Sequence, residues 1–181
     1  MSNASPDPVA AAAAYQQHLL SLLGPDDPAT VQAQTPAALR VMLQEAAQDK
    51  RTRPAPREWS VLELLGHVTD AELVISNRYR WALSQDGTSV GGYDQDRWVE
   101  HLRHNDKEPD ELLEAFTALR NANLKLWRRA SPDDRARHVM HSERGKESYD
   151  LMFRMLAGHD RFHLTQMRAT LSQVRAARAQ A

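Results

Sequence analysis

Hydrophobic residues recur along this chain in alternating steps of three and four, which is the spacing of one face of an α-helix. The clearest segment is 60–83, SVLELLGHVTDAELVISNRYRWAL, in which Ser60 and Glu63 have the spacing of a capping box that starts a helix. Its inward-facing stripe consists of Leu64, His67, Val68, Ala71, Val74, Ile75 and Arg78. No long alternation of period two occurs, so the sequence predicts an almost entirely helical protein.

Four further segments carry helix signals. They are 8–23, which stops at Gly24-Pro25; 35–49, with Thr35 as N-cap and Pro36 at the first helical position; 109–130, opened by Pro109; and about 148–177. A proline-containing connector fills 52–59, and a polar connection of some 25 residues precedes Pro109.

Four main helices, this long crossover and an extra short helix predict an all-α protein built as a four-helix bundle. The crossover is long enough to span the bundle, so consecutive helices need not be antiparallel. We expect one domain over 1–181, with residues 1–7 disordered or derived from an expression tag. Because long loops in compact domains tend to be functional, the crossover is expected to cover a pocket with Tyr93, Asp94, Asp96 and Trp98.

The charge balance narrows the class of partner. Lys and Arg number 23 against 24 Asp and Glu, whereas nucleic-acid binders usually carry a basic excess. No long apolar run or polybasic segment suggests a membrane partner, and the first residues do not resemble a signal peptide. We therefore expect a cytoplasmic protein that binds a small molecule. The absence of cysteine excludes thiolate ligands and a cysteine nucleophile.

The stretch MLAGHDRFHLTQM, residues 155–167, places two histidines on the inward stripe of the last helix. His159 and His163 are one turn apart, so their rings project from one face and can bind the same metal ion. The alternative is a pair of structural histidines that bond to carbonyl groups or water.

His67 adds a third inward histidine from a different helix. Three buried imidazoles are costly unless their nitrogens are satisfied, and one divalent ion satisfies all three. Three nitrogen ligands favour Zn²⁺ or Ni²⁺, with Fe²⁺, Co²⁺ or Mn²⁺ as alternatives, and leave positions open for water or substrate. The spacing therefore leaves two interpretations. One is a metal site of catalytic type at His67, His159 and His163, and the other is a set of structural histidines.

Three polar residues near these histidines are candidates for catalysis. Asp70, one turn past His67, is a candidate base or partner of a ligand, and Gln166 is a candidate to orient a ligand or bound water. Arg78 lies about three turns beyond His67 on the same face. It is a candidate to bind an anionic substrate group, or else an arginine that extends to solvent at the end of the bundle.

The remaining histidines carry weaker signals. His141 is a candidate pocket residue at the open end of the bundle. The alternative is that His141, like His138, lies in a loop. His101 and His104 are expected on a solvated face.

Three segments resemble landmarks of the DinB-like superfamily: EWSVLELLGHVTDAE, GYDQDRW and GHDRFHLTQM. In that family a Trp-Ser helix start precedes the first metal histidine, and a His-x-x-x-His pair in the last helix supplies the other two. The resemblance therefore places the ligands at His67, His159 and His163. It extends over about residues 36–172, and the Tyr-Asp-x-Asp-x-Trp crossover is typical of the YfiT-like branch. Ser142 departs from the pattern, since relatives tend to have proline after the histidine that corresponds to His141.

The resemblance implies an up-down-down-up bundle, a divalent ion on three histidines and frequently a homodimer. Members have been described as metal-dependent hydrolases, and some relatives are S-transferases or isomerases that use bacillithiol, mycothiol or glutathione. We expect first a metal-dependent S-transferase that joins a low-molecular-weight thiol to an electrophile. A hydrolase that uses metal-activated water is the second interpretation. The third is a non-enzymatic binding or stress-response protein stabilised by the metal.

Overall fold

The computed structural model describes residues 8–180, so the expectation for residues 1–7 lies outside the described range. Its elements in chain order are α1 Pro8–Leu23, α2 Pro28–Ala46, α3 Val61–Ser84, β1 Thr88–Val90, α4 Gln95–His101, α5 Pro109–Arg129, α6 Pro132–Ala136, β2 His138–His141, β3 Gly145–Ser148 and α7 Tyr149–Ala179. The five long helices lie where the sequence predicts them, apart from the start of α2. Within this range no helix has the combination of length and hydropathy that crossing a membrane requires.

The start of α3 matches the predicted capping box. Oγ of Ser60 accepts a hydrogen bond from the amide of Glu63 at 3.1 Å, and Oε2 of Glu63 accepts one from the amide of Ser60 at 2.9 Å. Two amides of the first turn are thereby satisfied, which fixes the residue at which the helix begins. His67 consequently lies in the second turn of α3.

The predicted start of α2 is wrong. The helix begins at Pro28 with Asp27 as its N-cap, and Thr35 and Pro36 lie inside it. Both Asp27-Pro28 and Thr35-Pro36 combine a capping residue with a following proline, so local sequence does not separate the two possible starts.

Pro36 is tolerated inside α2 because a distant side chain replaces the missing hydrogen bond. Proline has no N–H, so the carbonyl of Gln32, four residues earlier, loses its partner within the helix. Arg120 on α5 donates to this carbonyl at 3.1 Å. Thr35 is buried and donates to Asp160 on α7 at 2.7 Å. The Thr-Pro pair that resembled a helix start therefore belongs to a contact in the centre of the bundle.

Side-chain contacts fix the directions of the bundle helices α2, α3, α5 and α7. α3 and α7 are antiparallel, because His67 faces His163 near one end while Tyr79 faces Tyr149 near the other. α2 is parallel to α7, and α5 is parallel to α3. For α2 and α7 the contacts are Gln32 with Phe153 and Glu45 with Arg175. For α3 and α5 they are Glu72 with Arg120 and Ser76 with Asn123. The order is up-down-down-up, and the all-α four-helix bundle is confirmed.

A buried polar layer crosses the middle of the bundle. Arg120 donates to Glu72 on α3 at 2.8 Å and to Asp160 on α7 at 3.0 Å, and all three side chains are buried. One apolar cluster, which includes Leu62 and Phe116, lies on one side of this layer along the helices. The other side holds an aromatic cluster with Tyr79, Trp127, Tyr149 and Phe153.

A small sheet closes one end of the bundle and was not predicted. β1 pairs parallel with β2, and β2 pairs antiparallel with β3. Strands of three or four residues are too short to produce a period-two signal, and the pairing of β1 with β2 joins residues some 50 positions apart. His138 and His141, for which a loop was one interpretation, are the first and last residues of β2.

Candidate metal centre

Three histidines from two helices meet in the interior. α3 contributes His67, and α7 contributes His159 and His163 one turn apart. One ring nitrogen from each lies within 4.8 Å of the others, and the Nε2 atoms of His67 and His163 are 3.2 Å apart. The side chains are only 2, 9 and 5% exposed in the same order. The structure thus brings together the three residues that the sequence selects as ligands.

Burial keeps these imidazoles neutral near pH 7. It lowers the pKa of His67 to about 3, with His163 as a further cause. It also lowers the pKa of His163 to about 4, although the bond to Gln166 acts in the opposite direction. The pKa of His159 lies well below its usual value, first because of burial and then because of the other two rings. Neutral imidazole is the form that binds metal ions.

Gln166 fixes the orientation of the His163 ring. Oε1 of Gln166 lies 2.9 Å from Nδ1 of His163. Because an amide oxygen only accepts hydrogen bonds, Nδ1 carries the proton and Nε2 presents its lone pair towards His67. Trp59, which directly precedes the N-cap of α3, packs against His67 with ring centroids 4.9 Å apart. The predicted role of Gln166 in orienting a ligand is compatible with this contact.

The donor set fits a divalent ion. Among the described residues, Nδ1 of His67 and Nδ1 of His159 are buried and have no hydrogen-bond partner. Buried polar atoms are normally satisfied, so these rings have bonding capacity that the protein does not use. Three neutral imidazoles match the ligand preferences of Zn²⁺, Ni²⁺, Fe²⁺ and Co²⁺. His67, His159 and His163 are the residues that would hold such an ion.

A cavity of about 460 Å³ opens from the three histidines and runs between α1, α3 and α7. Its middle section is apolar, with Val74 and Ile75 from α3 and Met155 and Leu156 from α7. Farther from the histidines, Arg78 and Tyr93 contribute to the wall. Burial raises the pKa of Tyr93 to about 12, so its hydroxyl stays protonated. A cavity of this volume suits a small organic molecule.

Three charged residues of this wall were missed by sequence reasoning. Glu143, Arg144 and Glu147 come from the β2–β3 hairpin and line the cavity. Arg144 forms an ion pair with Glu147, with Nε and Oε1 2.6 Å apart. Their segment, SERGKES, has the composition of an ordinary turn. Only the pairing of β2 with β1 at the end of α3 brings it to the cavity, and no local pattern signals that pairing.

Asp70 is paired with another histidine, His104. Its Oδ2 lies 2.6 Å from Nε2 of His104, and both side chains are buried. The expectation that His104 lies on a solvated face is therefore wrong. Gly66 explains the fit, because a Cβ at this position would lie 2.3 Å from the His104 ring. Asp70 does not line the cavity, so no contact with the cavity supports its predicted catalytic role.

The crossover residues have separate positions. Tyr93 lines the cavity and packs against Trp98 with ring centroids 4.6 Å apart and the planes tilted by 49°. Asp94 is exposed and caps α4 by accepting from the amide of Arg97 at 3.0 Å. Asp96 is exposed and lines a different cavity beside His163. Of the four predicted pocket residues, Tyr93 is the one that faces the space next to Arg78 and the histidines.

His141 is buried at the end of β2 and lies behind the cavity wall. Its Nδ1 accepts a hydrogen bond from the amide of Glu143 at 3.1 Å, and burial lowers its pKa to about 4, helped by Arg144 and Arg78. His141 thus supports a wall residue rather than lining the 460 Å³ cavity itself.

The chain is similar in sequence to known proteins. The sequence profile of the DinB superfamily matches residues 29–167. Two proteins of Oceanobacillus iheyensis are similar in sequence. "Putative metal-dependent hydrolase OB0782" is 27% identical over 60% of this chain and 63% of its own length. "Putative metal-dependent hydrolase OB0413" is 23% identical over 63% of this chain and 65% of its own length. The chain thus spans slightly less than two thirds of these relatives.

A solved structure shares the fold. YfiT from Bacillus subtilis, described as a probable metal-dependent hydrolase with an unusual four-helix bundle topology, superposes with a TM-score of 0.71. The alignment covers 94% of this chain and 91% of YfiT at 14% sequence identity. This likeness supports the bundle topology derived from the helix contacts.

Proposed function

Because the chain belongs to the DinB superfamily, we propose that it is an enzyme that works with one divalent ion held by His67, His159 and His163. The observation that carries this proposal is the meeting of three buried, neutral imidazoles at the inner end of a cavity of ligand size. The names of the two Oceanobacillus relatives and of YfiT point in the same direction.

The ion would supply Lewis acidity, which lowers the pKa of a coordinated water or thiol. The protein's own residues perform the positioning. Gln166 holds the tautomer of His163 through its amide oxygen, and Trp59 packs against the ring of His67. The apolar walls limit the access of water to the three rings, which strengthens every electrostatic interaction there.

The reaction we propose first is the transfer of a low-molecular-weight thiol to an electrophile. Support comes from a second cavity, of about 430 Å³, which shares Gln95, Phe162 and His163 with the first. Its other lining residues are largely polar: Arg57, Glu58, Asp96, Gln166 and Gln173. Two spaces of different polarity that meet at one histidine suit two reactants, a hydrophilic thiol and a less polar electrophile. A chain without cysteine needs its thiol to arrive as a cosubstrate.

A metal-dependent hydrolase is the second candidate. It is favoured by the names of the relatives. Asp70 would act in either reaction only through His104, with which it is paired. The thiol partner and the homodimer stay predictions.

The two reactions are separated by one pair of assays. The purified protein is stripped with a chelator, reloaded with Zn²⁺, Ni²⁺, Fe²⁺, Co²⁺ or Mn²⁺, and tested with bacillithiol and 1-chloro-2,4-dinitrobenzene. In this reaction the S–H and C–Cl bonds break, a C–S bond forms, and chloride and a proton are released. Hydrolysis of p-nitrophenyl acetate is measured in parallel.

We expect metal-dependent thiol consumption that is lost in His67→Ala together with the bound ion. His101→Ala, which changes an exposed histidine, is the control. Ester hydrolysis without thiol consumption would overturn the first proposal and support the second. A stoichiometric ion with neither activity would overturn both.

A further inference from the structure

Arg78 is a buried cation whose charge the protein leaves uncompensated. Its side chain is 6% exposed, and among residues 8–180 no carboxylate oxygen lies within 4.0 Å of it. Its one hydrogen bond in that range runs from Nη2 to the carbonyl of Gly91 at 2.7 Å. A guanidinium carries five N–H donors, so most of its bonding capacity is unused.

Two other arginines, the buried Arg120 and the half-buried Arg144, are paired. Arg120 contacts the carboxylates of Glu72 and Asp160. Arg144 is bound by Glu147, which cancels its charge beside the same cavity. An unpaired buried charge is costly, so sites of this kind are usually completed by a bound partner. The contrast between Arg78 and these arginines is the feature to be explained.

Arg78 lines a larger cavity of about 750 Å³ beside β1 and also the cavity of the three histidines. Arg78 and His67 both line it and lie eleven residues apart on α3, which corresponds to about 16 Å along the helix axis. The wall between them is apolar, formed by Ala71, Val74 and Ile75 opposite Met155. The cavity therefore has a metal-binding end, an apolar middle and a charged end, where Arg78 lies near Arg144, Glu147 and Glu143.

We propose that Arg78 binds the anionic group of the substrate. The substrate class is an elongated organic anion, with a carboxylate or similar group at Arg78, an apolar middle section, and its reacting atom at the three histidines. This extends the proposed function, on which it relies for the position of the reacting end. The binding of the anion itself depends on Arg78 and the apolar wall.

Neighbouring charges do not substitute for Arg78. Glu143 is exposed, lies against Gly92 and is more than 4.0 Å from the guanidinium. Tyr93 keeps its proton and adds a neutral hydroxyl to the same wall. At the charged end of the cavity, Arg78 is therefore the cation that no carboxylate contacts, whereas Arg144 is paired with Glu147.

The proposal is tested by calorimetric titration of the metal-free protein with octanoate and with 1-octanol. The two probes share an apolar chain and differ in charge, and without a metal ion octanoate cannot bind to one. We expect octanoate to bind at least about tenfold more tightly than octanol, because hydrogen bonds to a charged partner are among the stronger ones. Arg78→Gln should remove this difference and leave octanol binding unchanged.

Two further variants make the result specific. Arg80→Gln removes an equal charge from an exposed position two residues along α3 and should keep the preference for octanoate. Arg78→Lys keeps the positive charge, so it tests the site even if Arg78→Gln fails to fold. Its affinity for octanoate should fall by less than tenfold, since lysine lacks the planar fork of arginine. Equal affinity of the wild type for the two probes would overturn the proposal, as would equal losses in Arg78→Gln and Arg80→Gln. Because no metal or turnover is involved, these outcomes are independent of the test of the proposed function.

Discussion

The two nitrogens of the His163 ring have different tasks. Nδ1 is bonded to Gln166, whereas Nε2 faces His67 across 3.2 Å. The amide therefore selects the tautomer that leaves Nε2 free to bind an ion. A residue that never touches the ion thus controls whether His163 can be a ligand, which is how partners of metal ligands commonly act.

Replacement of Gln166 by leucine should weaken metal binding by about 10- to 100-fold, because the His163 ring loses the acceptor that fixes its tautomer. Gln173→Leu, on an exposed position of the same helix, is the control. The affinity is measured by competition with a chromophoric chelator. Equal affinities of the two variants would contradict the role assigned to Gln166.

The pH dependence of stability follows from the same rings. In the folded protein the pKa values of His67 and His163 are about 3 and about 4, below the value of about 6.5 for an unfolded chain. Between pH 6.5 and pH 4 the unfolded state therefore binds more protons, so protonation favours unfolding. Stability is fully present above pH 6.5 and is lost as the pH falls through this window.

For the metal-free protein we expect the free energy of unfolding to decrease below pH 6.5, each histidine adding up to about 1.4 kcal/mol per pH unit. Denaturant titrations at pH 7, 6 and 5 measure the slope. His163→Leu should reduce the slope, while His101→Leu, an exposed position, should leave it unchanged. A slope that is the same in both variants would contradict this assignment.

At the scale of the elements, α1 and α7 approach each other more closely than side chains allow. A Cβ on Gly158 would lie 1.9 Å from the carbonyl oxygen of Leu19. The contact is with backbone, which cannot move aside as a flexible side chain does. Since α1 also lines the cavity through Tyr15 and Leu19, this crossing determines the width of the site.

Gly158→Ala should lower the free energy of unfolding by about 1–3 kcal/mol, since α1 has to move to admit the methyl group. Gly91→Ala is the matched control, because a Cβ there meets no atom within 4 Å. Chemical denaturation gives the stability of both variants. A Gly158→Ala protein as stable as Gly91→Ala would show that the two helices are not in this close contact.

How far the sequence predicts an element depends on where its hydrogen bonds go. The start of α3 was predicted because Ser60 and Glu63 bond to each other within the first turn. The start of α2 was not, because the helix continues through Pro36 only with the help of Arg120, which lies on α5. β1 was missed for the same reason, because its partner β2 lies far along the chain. β2 and β3 form a local hairpin, but strands of four residues are too short for a period-two signal.

The candidate site likewise has parts that the local sequence predicts and parts that it does not. The histidines of α7 are one turn apart, so helical spacing alone places them together, and His67 follows from the inward stripe of α3. Arg144 and Glu147 reach the cavity only through the pairing of β2 with the distant β1, and His104 reaches Asp70 only because Gly66 lacks a side chain. No local pattern carries such information.

For the whole molecule, Arg120 is the point at which all four bundle helices are joined. It lies on α5 and bonds to Glu72 of α3, Asp160 of α7 and the carbonyl of Gln32 on α2. Asp160 directly follows His159 in the sequence. The polar layer therefore sets the spacing of the helices at the level of the histidines.

Arg120→Met should cost about 3–5 kcal/mol of stability, because it leaves two buried carboxylates without their counter-charge. Metal affinity should fall as well, through the displacement of Asp160 and with it His159. Arg154→Met, which removes an exposed ion pair 3.9 Å long, should cost less than about 1 kcal/mol. Thermal and denaturant unfolding compare the two. A similar loss in both would mean that the buried network does not hold the bundle together.

The position of the histidines along the chain gives the ion a second effect. His67 and His159 are 92 positions apart, so an ion bound to both closes a long loop, as a disulfide does in other proteins. This chain has no cysteine and cannot form a disulfide. The ion would be its reversible cross-link, present only in the folded state and strengthening that state as the free metal concentration rises. The supply of metal would then also regulate the lifetime of the protein.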